Sequence, residues 1–583
     1  MSEEKRGTVA ASRLYAFLVL FALGAVALTA RAVHLQVLDT ETFQREGENR
    51  HLRTIEIPAT RGIIADRNGE PLAVSTPVDS VWLNPTDLYE QVDPAGAREV
   101  IATLAEKLDV KADDLERKVM QNASVGQQFI WIRRRINPSL AREIEALGLP
   151  SLGLRKEYRR FYPAGEVAAH LIGFTDVDDT GKEGLELAFD DWLQGVPGKK
   201  RIIRNARGET VEEIELVREA EPGKDLPLTI DRRLQHLAYR ELTRTVLEHG
   251  ALSGSVVLMD VKTGEVLAVV NQPSYNPNHP AGVGEGLRNR ALTDLFEPGS
   301  VMKPLAVASA LENGVVTANT MINTHPGTYQ LGRYTIRDHH DYGILDVTGV
   351  ITKSSNVGAI KVTRDLEPEQ LWGTYDRLGF GEPTGTGFPG ESAGVLRSPT
   401  RWRDVDKATV SYGYGINVTV LQLAQAYAAL ANGGKLVRPT LIRGAANPPV
   451  SVMDPGVARR VVAMLETVTG EAGTGKQARV PNYRVAGKTG TSRMQGKNGY
   501  AAARYIASFA GFAPVSDPRL VCVVVIHDPT GDAYYGGLVA APLFSRVMDG
   551  ALRLLNVPPD AYPALLARQE AETAQPLAEE AGG

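Results

Sequence analysis

The chain nearly lacks cysteine. Its single thiol, Cys522, excludes an internal disulfide and any cysteine-based metal site in 583 residues. It lies in "RLVCVVVIHD", which reads as a buried strand, where a small apolar filler suits better than a reactive thiol. Charge of one sign is also missing. Lys and Arg total 64 against 69 Asp and Glu, a net of −5, so no basic surplus points to nucleic acid. No internal repeat is evident, and 43% hydrophobic with 23% charged residues is an ordinary globular balance. The length predicts more than one domain.

Long apolar runs are absent except at one place. Leu14 to Ala30 carries no charge, and at 1.5 Å per residue it spans roughly 26 Å as a helix, the short end of a bilayer crossing. Lys5, Arg6 and Arg13 precede it, which keeps the short tail in the cytoplasm and the remainder outside. Ala30-Arg31-Ala32 resembles a signal-peptidase site. However, the run exceeds a typical signal core, and Val33, Leu35, Val37 and Leu38 continue it. An uncleaved anchor over 14–38 is the expectation, after a tail at 1–13.

"TRGIIADRNGEPLAVS", Thr60 to Ser75, reads as two short strands about a type I′ turn at Asn68-Gly69. Helical and strand-like pieces then alternate to about residue 220 without the residue types of a reaction centre, predicting an α+β pedestal over 50–223. A linker, "EAEPGKDLPLTID", ends in Asp231 as a helix N-cap, with Leu234, Ala238, Leu242 and Val246 at helical spacing. "SVVLMDVKTGEVLAVVN" predicts a hairpin about Lys262-Thr263-Gly264. Thr419 and Gln422 predict a capping box. "YRVAGKTG", "YIASFAGFAP" and "RLVCVVVIHD" read as consecutive strands, followed by a helix from about Pro542 to Leu555. The pattern predicts an α/β domain over 224–558, with helices packed on a largely antiparallel sheet, and a disordered tail over 559–583.

Three short motifs carry the chemistry, and each has a decoy. S-x-x-K occurs at Ser300-Lys303 and at Ser2-Lys5. S-x-N occurs at Ser354-Asn356 and Ser274-Asn276, and K-T-G at Lys488-Gly490 and Lys262-Gly264. Only one set runs in the order S-x-x-K, S-x-N, K-T-G, each in a fitting context. In "FEPGSVMKPLAV", Lys303 lies on the helix face of Ser300 and could take its proton. A helix N-terminus at Ser300 would favour a developing oxyanion. Burial and the second cation, Lys488, would lower the Lys303 pKa enough for base work. Pro304 fits that helix poorly. Ser354 could relay a proton to a leaving amine, and Asn356 could hold a carbonyl or orient Lys303. In "AGKTGTS", Gly490 would let substrate backbone approach, and Lys488, Thr489 and Thr491 suit a carboxylate.

Together these stretches resemble the penicilloyl-serine transferases. The likeness extends over nearly the whole chain. One anchor, "RGIIADRNGEPLA", "RFYP" and "GLE" are similar to the pedestal of a class B penicillin-binding protein. "FEPGSVMKP", "SSNVGA", "SYGYG" and "VAGKTGT" are similar to its division-specific, FtsI-type branch, also called penicillin-binding protein 3. The resemblance implies the penicillin-binding-protein and serine β-lactamase fold, with helices on both faces of the sheet and a helical subdomain. It implies D,D-transpeptidation of peptidoglycan stem peptides ending in D-Ala-D-Ala at the septum, in an inner-membrane protein with a periplasmic catalytic part. By motif position Ser300 is the nucleophile, Lys303 the base, Ser354 and Asn356 relay and orienter, and Lys488 and Thr489 the carboxylate binders. The backbone N–H groups of Ser300 and Thr491 form the oxyanion hole. Tyr505, Tyr534 and Tyr535 fall where relatives line the site with aromatics. No metal or other cofactor is implied. The implied partners are lipid-linked nascent glycan, an FtsW-type membrane glycosyltransferase, other division proteins, and β-lactams as covalent inhibitors.

Rival readings use the same motifs. A β-lactamase is usually a single domain without anchor or pedestal, and no glutamate base for deacylation can be assigned here. A membrane sensor would normally need more membrane helices. A structural division protein with inactive motifs would show no transfer to an acceptor amine.

Overall fold

A computed structural model describes residues 4–34, 52–204, 210–280, 282, 284–445, 447–496, 499–531 and 533–561. The expected anchor beyond residue 34 and the expected tail from residue 562 lie outside the described residues. Near the N-terminus Glu4–Val33 forms one helix. Within it Arg13–Val33, with mean hydropathy 2.1, is long and apolar enough to cross a membrane. Its large side chains face outward, Phe21 with 73% of its surface open, as lipid contact requires.

The chain forms two compact units. The smaller comprises residues 1–60, 77–158 and 195–222, and the larger 61–76, 159–194 and 223–583. The smaller unit holds a three-stranded antiparallel sheet, with Leu52–Ile57 and Thr210–Arg218 flanking Gly198–Arg204. Its core is a separate cluster including Val81, Leu104, Leu108, Val119 and Ile144. Helices Pro94–Leu108 and Ala112–Ser124 contribute to that cluster.

The larger unit collects two segments that the sequence had assigned to a contiguous pedestal. Arg61 Nε donates to Glu186 Oε2 at 2.6 Å, and Arg160 Nε donates to Glu186 Oε1 at 2.6 Å. Arg61 Nη1 also reaches Asp190 Oδ1 at 2.7 Å. Glu186 is wholly buried, so "RGII", "RFYP" and "GLE" meet in one dry ion cluster within this unit. Three segments distant in sequence must arrive together, because each charge alone would be costly to bury.

The hairpin at Asn68-Gly69 also differs in type. Ile64 pairs with Ala73 and Ala65 with Pro71, which leaves a five-residue loop, 66–70. Asp66 closes it by accepting from the N–H groups of Asn68 (2.7 Å) and Glu70 (2.9 Å). Only Gly69 has a left-handed backbone, with φ +88°, whereas a type I′ turn needs two such residues.

The main sheet of the larger unit contains β1 (Ser253–Asp260), β2 (Val266–Gln272), β3 (Ala486–Gly496), β4 (Gly499–Ala513) and β5 (Leu520–His527). Their spatial order is β2-β1-β5-β4-β3, with every neighbour antiparallel. The helices that matter for the site are α1 (Arg232–Glu248), α2 (Lys303–Glu312), α3 (Val347–Lys353), α4 (Asn356–Val362), α5 (Val420–Ala431) and α6 (Gly536–Leu554). Asp231 caps α1, and Thr419 with Gln422 forms the expected capping box of α5. The final helix starts six residues before Pro542, which it accommodates internally.

Both faces of the sheet are covered, so the middles of β1, β2 and β5 are apolar on both sides rather than alternating with polar residues. Val256, Leu258, Cys522 and Val524 pack with Leu234, Leu242, Phe544 and Val547 of α1 and α6. Val257, Met259, Val521 and Val523 point the other way, into the cluster that includes Leu305 of α2 and Leu423 of α5. This two-sided alternation fits the expected fold class. Cys522 is completely buried, and burial pushes its thiol pKa up, so it stays an inert filler.

The buried ion cluster yields a stability test. Glu186→Gln leaves the Arg160 guanidinium without its carboxylate, a loss of about 3–5 kcal/mol for breaking a buried pair. Denaturant unfolding followed by circular dichroism should show the drop. A midpoint equal to wild type would contradict the role given to Glu186.

Candidate active site

The loop carrying Ser300 is shaped by glycine and proline. Gly299 has φ +62°, its N–H donates to Gly413 O at 3.0 Å, and a Cβ there would meet Ser492 Cβ at 3.2 Å. A Cβ on Gly413 would sit 2.1 Å from Gly299 O, which explains the glycine of "SYGYG". Residues Gly299–Met302 then form a 3₁₀ turn, and the Lys303 N–H donates to Ser300 O. The α-helix opens only at Lys303, so Ser300 precedes it rather than starting it. This register removes the difficulty with Pro304, which occupies the first turn of α2 where no backbone donor is needed. Side chains three apart eclipse in a 3₁₀ turn, so Ser300 and Lys303 share one side of it.

"SSN" is a joint between helices rather than a free polar loop. Ser354 ends α3 in the left-handed region at φ +60°, and Ser355 caps α4 through Gly358 N. Asp338 clamps the joint. Its carboxylate accepts from Ser355 Oγ, Asn356 N and Val357 N. Asn356 is fixed further by donating from Nδ2 to Arg337 O at 2.9 Å.

Lys303 is fully buried, and its Nζ donates to Ser354 O at 2.5 Å, Asn356 Oδ1 at 2.8 Å and Ser354 Oγ at 3.3 Å. Burial lowers its pKa to about 7, against a small opposing pull from Asp338. Lys488 is buried too, on edge strand β3. Its Nζ donates to Ser354 Oγ at 2.9 Å and Thr489 O at 3.0 Å. Burial first, then the charge of Lys303, holds the Lys488 pKa well below its usual value. Ser354 thus accepts from both amines. A hydroxyl has two lone pairs, so its own proton remains available to a group in the cleft.

An open cavity of about 750 Å³ is lined by Ser300, Ser354, Asn356, Thr489 and Thr491. The structure therefore brings the three motifs to one place. Lys303 and Lys488 lie behind its wall and reach it through Ser354. Thr489 Oγ1 hydrogen-bonds Thr474 Oγ1 at 2.7 Å, and Thr491 Oγ1 accepts from Gly536 N at 3.0 Å. A carboxylate in the cleft would meet these hydroxyls directly, with Lys488 acting only across them. Gly490 differs from expectation. A Cβ there would meet Ser508 Oγ at 2.3 Å and Val301 Cγ1 at 3.0 Å, so its space is taken by the protein interior rather than by substrate.

Sequence reasoning missed part of the wall. Asp338 holds the joint, and His339, His340, Tyr342, Tyr414 and Thr474 line the cavity. The polar, aromatic run "RDHHDYG" was the available signal. Tyr535 also lines the cavity and stacks on Tyr534 (centroids 4.4 Å apart), which stacks on Tyr505 at 4.2 Å.

Comparison with known proteins agrees with this geometry. Residues 254–549 match the family described as Penicillin binding protein transpeptidase domain, and residues 56–228 the Penicillin-binding Protein dimerisation domain. The chain is 42% identical to the probable peptidoglycan D,D-transpeptidase PbpC of Pseudomonas aeruginosa, covering 98% of this chain and 100% of that protein. It is 44% identical to peptidoglycan D,D-transpeptidase FtsI of Escherichia coli K12, over 92% of this chain and 90% of that one. Penicillin-binding protein 3 of Mycobacterium tuberculosis, solved with aztreonam, aligns with a TM-score of 0.66 at 27% identity, covering 87% of this chain and 98% of that one.

The lysine geometry predicts a pH profile. A Lys303 amine with a pKa of about 7 is protonated below that value and free to accept a proton above it. Acylation of Ser300 by benzylpenicillin should therefore rise with pH through about 7 and level off above it. Stopped-flow acylation rates check this, and a rate that falls or stays flat across pH 6–8 would contradict it.

Proposed function

The chain belongs to the penicillin-binding-protein transpeptidases of the FtsI type, and we propose how its own residues carry out the reaction. It is a penicillin-sensitive serine acyltransferase, a peptidoglycan D,D-transpeptidase acting in cell division. Neutral Lys303 takes the hydroxyl proton of Ser300 as Oγ attacks the carbonyl of the penultimate D-Ala. The N–H groups of Ser300, in a 3₁₀ turn, and Thr491, on an edge strand, receive the oxyanion. As the C–N bond breaks, Ser354 gives its proton to the departing D-Ala amine and regains one from Lys303. Thr489 and Thr491 bind the terminal carboxylate, with the Lys488 amine holding Ser354 from behind. Asn356 orients Lys303. Gly490 serves by letting β3 pack closely on Val301. The side-chain amine of a neighbouring stem then takes the acyl group and forms the cross-link.

The observation that carries this scheme is the sharing of the Ser354 hydroxyl by two buried lysine amines, in the wall of a cavity that Ser300 also lines. The remaining assignments follow from the same reading. The tail at 1–13 is cytoplasmic, 14–38 is a single-pass inner-membrane anchor, and the catalytic part is periplasmic. The pedestal is 50–223, the transpeptidase part 224–558 and the tail 559–583. The chain works beside an FtsW-type glycosyltransferase and other division proteins on lipid-linked nascent glycan.

Mass spectrometry of the full chain after benzylpenicillin should show one adduct, on Ser300 and never on Ser2. Ser300→Ala should carry none. Lys303→Arg, permanently charged, should slow acylation by on the order of 10²–10⁴-fold. An adduct that maps to Ser354, or a Lys303→Arg variant acylated as fast as wild type, would overturn the scheme.

A further inference from the structure

Two imidazoles, His339 and His340, line the cleft and have no part in acylation. His339 directly follows Asp338, whose carboxylate is tied to Ser355, Asn356 and Val357. Its ring also packs edge-on against Tyr535, with centroids 5.4 Å apart. It is thus held at its backbone by the "SSN" joint and at its ring by the aromatic wall, while remaining exposed to the cleft. His340 turns toward Tyr342 instead, at 6.0 Å.

Transfer to an acceptor raises a proton problem that acylation does not. The acceptor amine arrives as an ammonium, since free lysine-like amines titrate near 10.4. Converting R–NH₃⁺ to an amide removes two N–H protons, the first of them before the nitrogen can attack. After acylation Lys303 is neutral and can take one. Lys303 and Lys488 both lie behind the cavity wall, whereas the two imidazoles line the cavity itself.

We propose that His339 is the base for the acceptor: its imidazole takes the first proton from the incoming ammonium at the open side of the cleft. Lys303 takes the second proton as the N–C bond forms. That proton passes to Ser300 Oγ as the ester C–O bond breaks, and His339 releases its own to solvent. The step balances as acyl-serine plus ammonium giving amide, serine and one proton. The inference rests on the transpeptidase reading above. Several groups bear on His339. Partial burial first, then the charges of Lys303 and His340, lower its pKa, and Asp338 opposes them. Tyr535 packs on it from the aromatic wall. The result is an imidazole that stays neutral, and able to accept a proton, at neutral pH.

The test uses the full chain in detergent with a D-alanyl thioester donor and a simple primary amine as acceptor. The ratio of transfer to hydrolysis is read from pH 6 to 10, with benzylpenicillin acylation measured in parallel. His339→Gln should lower that ratio by about tenfold or more near pH 7. The gap should narrow toward pH 10, where roughly 30% of the amine is already neutral in solution. His340→Gln should have a much smaller effect. A ratio and pH profile in His339→Gln equal to wild type, a loss that does not depend on pH, or a parallel loss of penicillin acylation would each overturn the proposal. Failure of wild-type Ser300 to be acylated would instead remove the transpeptidase reading on which it rests.

Discussion

Two lysine amines donate to one serine hydroxyl inside a buried wall, and the site depends on that contact. Placing two ammonium groups within reach of a single acceptor is unfavourable in a low-dielectric interior, where like charges repel strongly. Burial brings Lys303 down to about 7, and burial together with the charge of Lys303 holds Lys488 well below its usual range. A residue that is a poor base in water becomes a usable one. The same contact turns Ser354 into a donor, because both of its lone pairs are occupied.

Holding that contact requires three chain segments to stop in register. Asp338 fixes the Ser354–Asn356 joint through three donors, so the acceptors for Lys303 do not drift. Edge strand β3 brings Lys488 from the opposite side, and its approach depends on Gly490 leaving room for Val301 and Ser508. The Ser300 turn is held by Gly299 and Gly413, which come within a distance that no side chain would allow. Glycines at these positions are structural necessities of the site rather than openings for substrate. The hydroxyls of Thr489 and Thr491 are what β3 offers to the cleft itself.

Much of this was legible in the sequence because helices, caps and motif order are local properties. Asp231, Thr419 and Gln422 mark helix starts through hydrogen bonds made within four residues, and those starts are observed. The strands around Cys522 are apolar on both faces, which reads directly as a sheet covered twice. What sequence did not disclose depends on contacts between distant residues. Nothing local ties Arg61 and Arg160 to Glu186, so the buried ion cluster has no signature in the sequence. The run "RDHHDYG" shows polar and aromatic types but no periodicity, so the clamp by Asp338 and the place of His339 in the cleft follow only from folding. The Pro304 puzzle arose from starting the helix three residues early, a boundary that a 3₁₀ turn blurs.

The account stands on Lys303 being close to half neutral at pH 7. Lysines labelled at Cε with ¹³C report this in the full chain, with Lys303→Met and Lys488→Met spectra giving the assignments. The Lys303 resonance should titrate near pH 7, far below the exposed lysines. A Lys303 resonance that titrates with the exposed lysines near 10 would contradict the central claim.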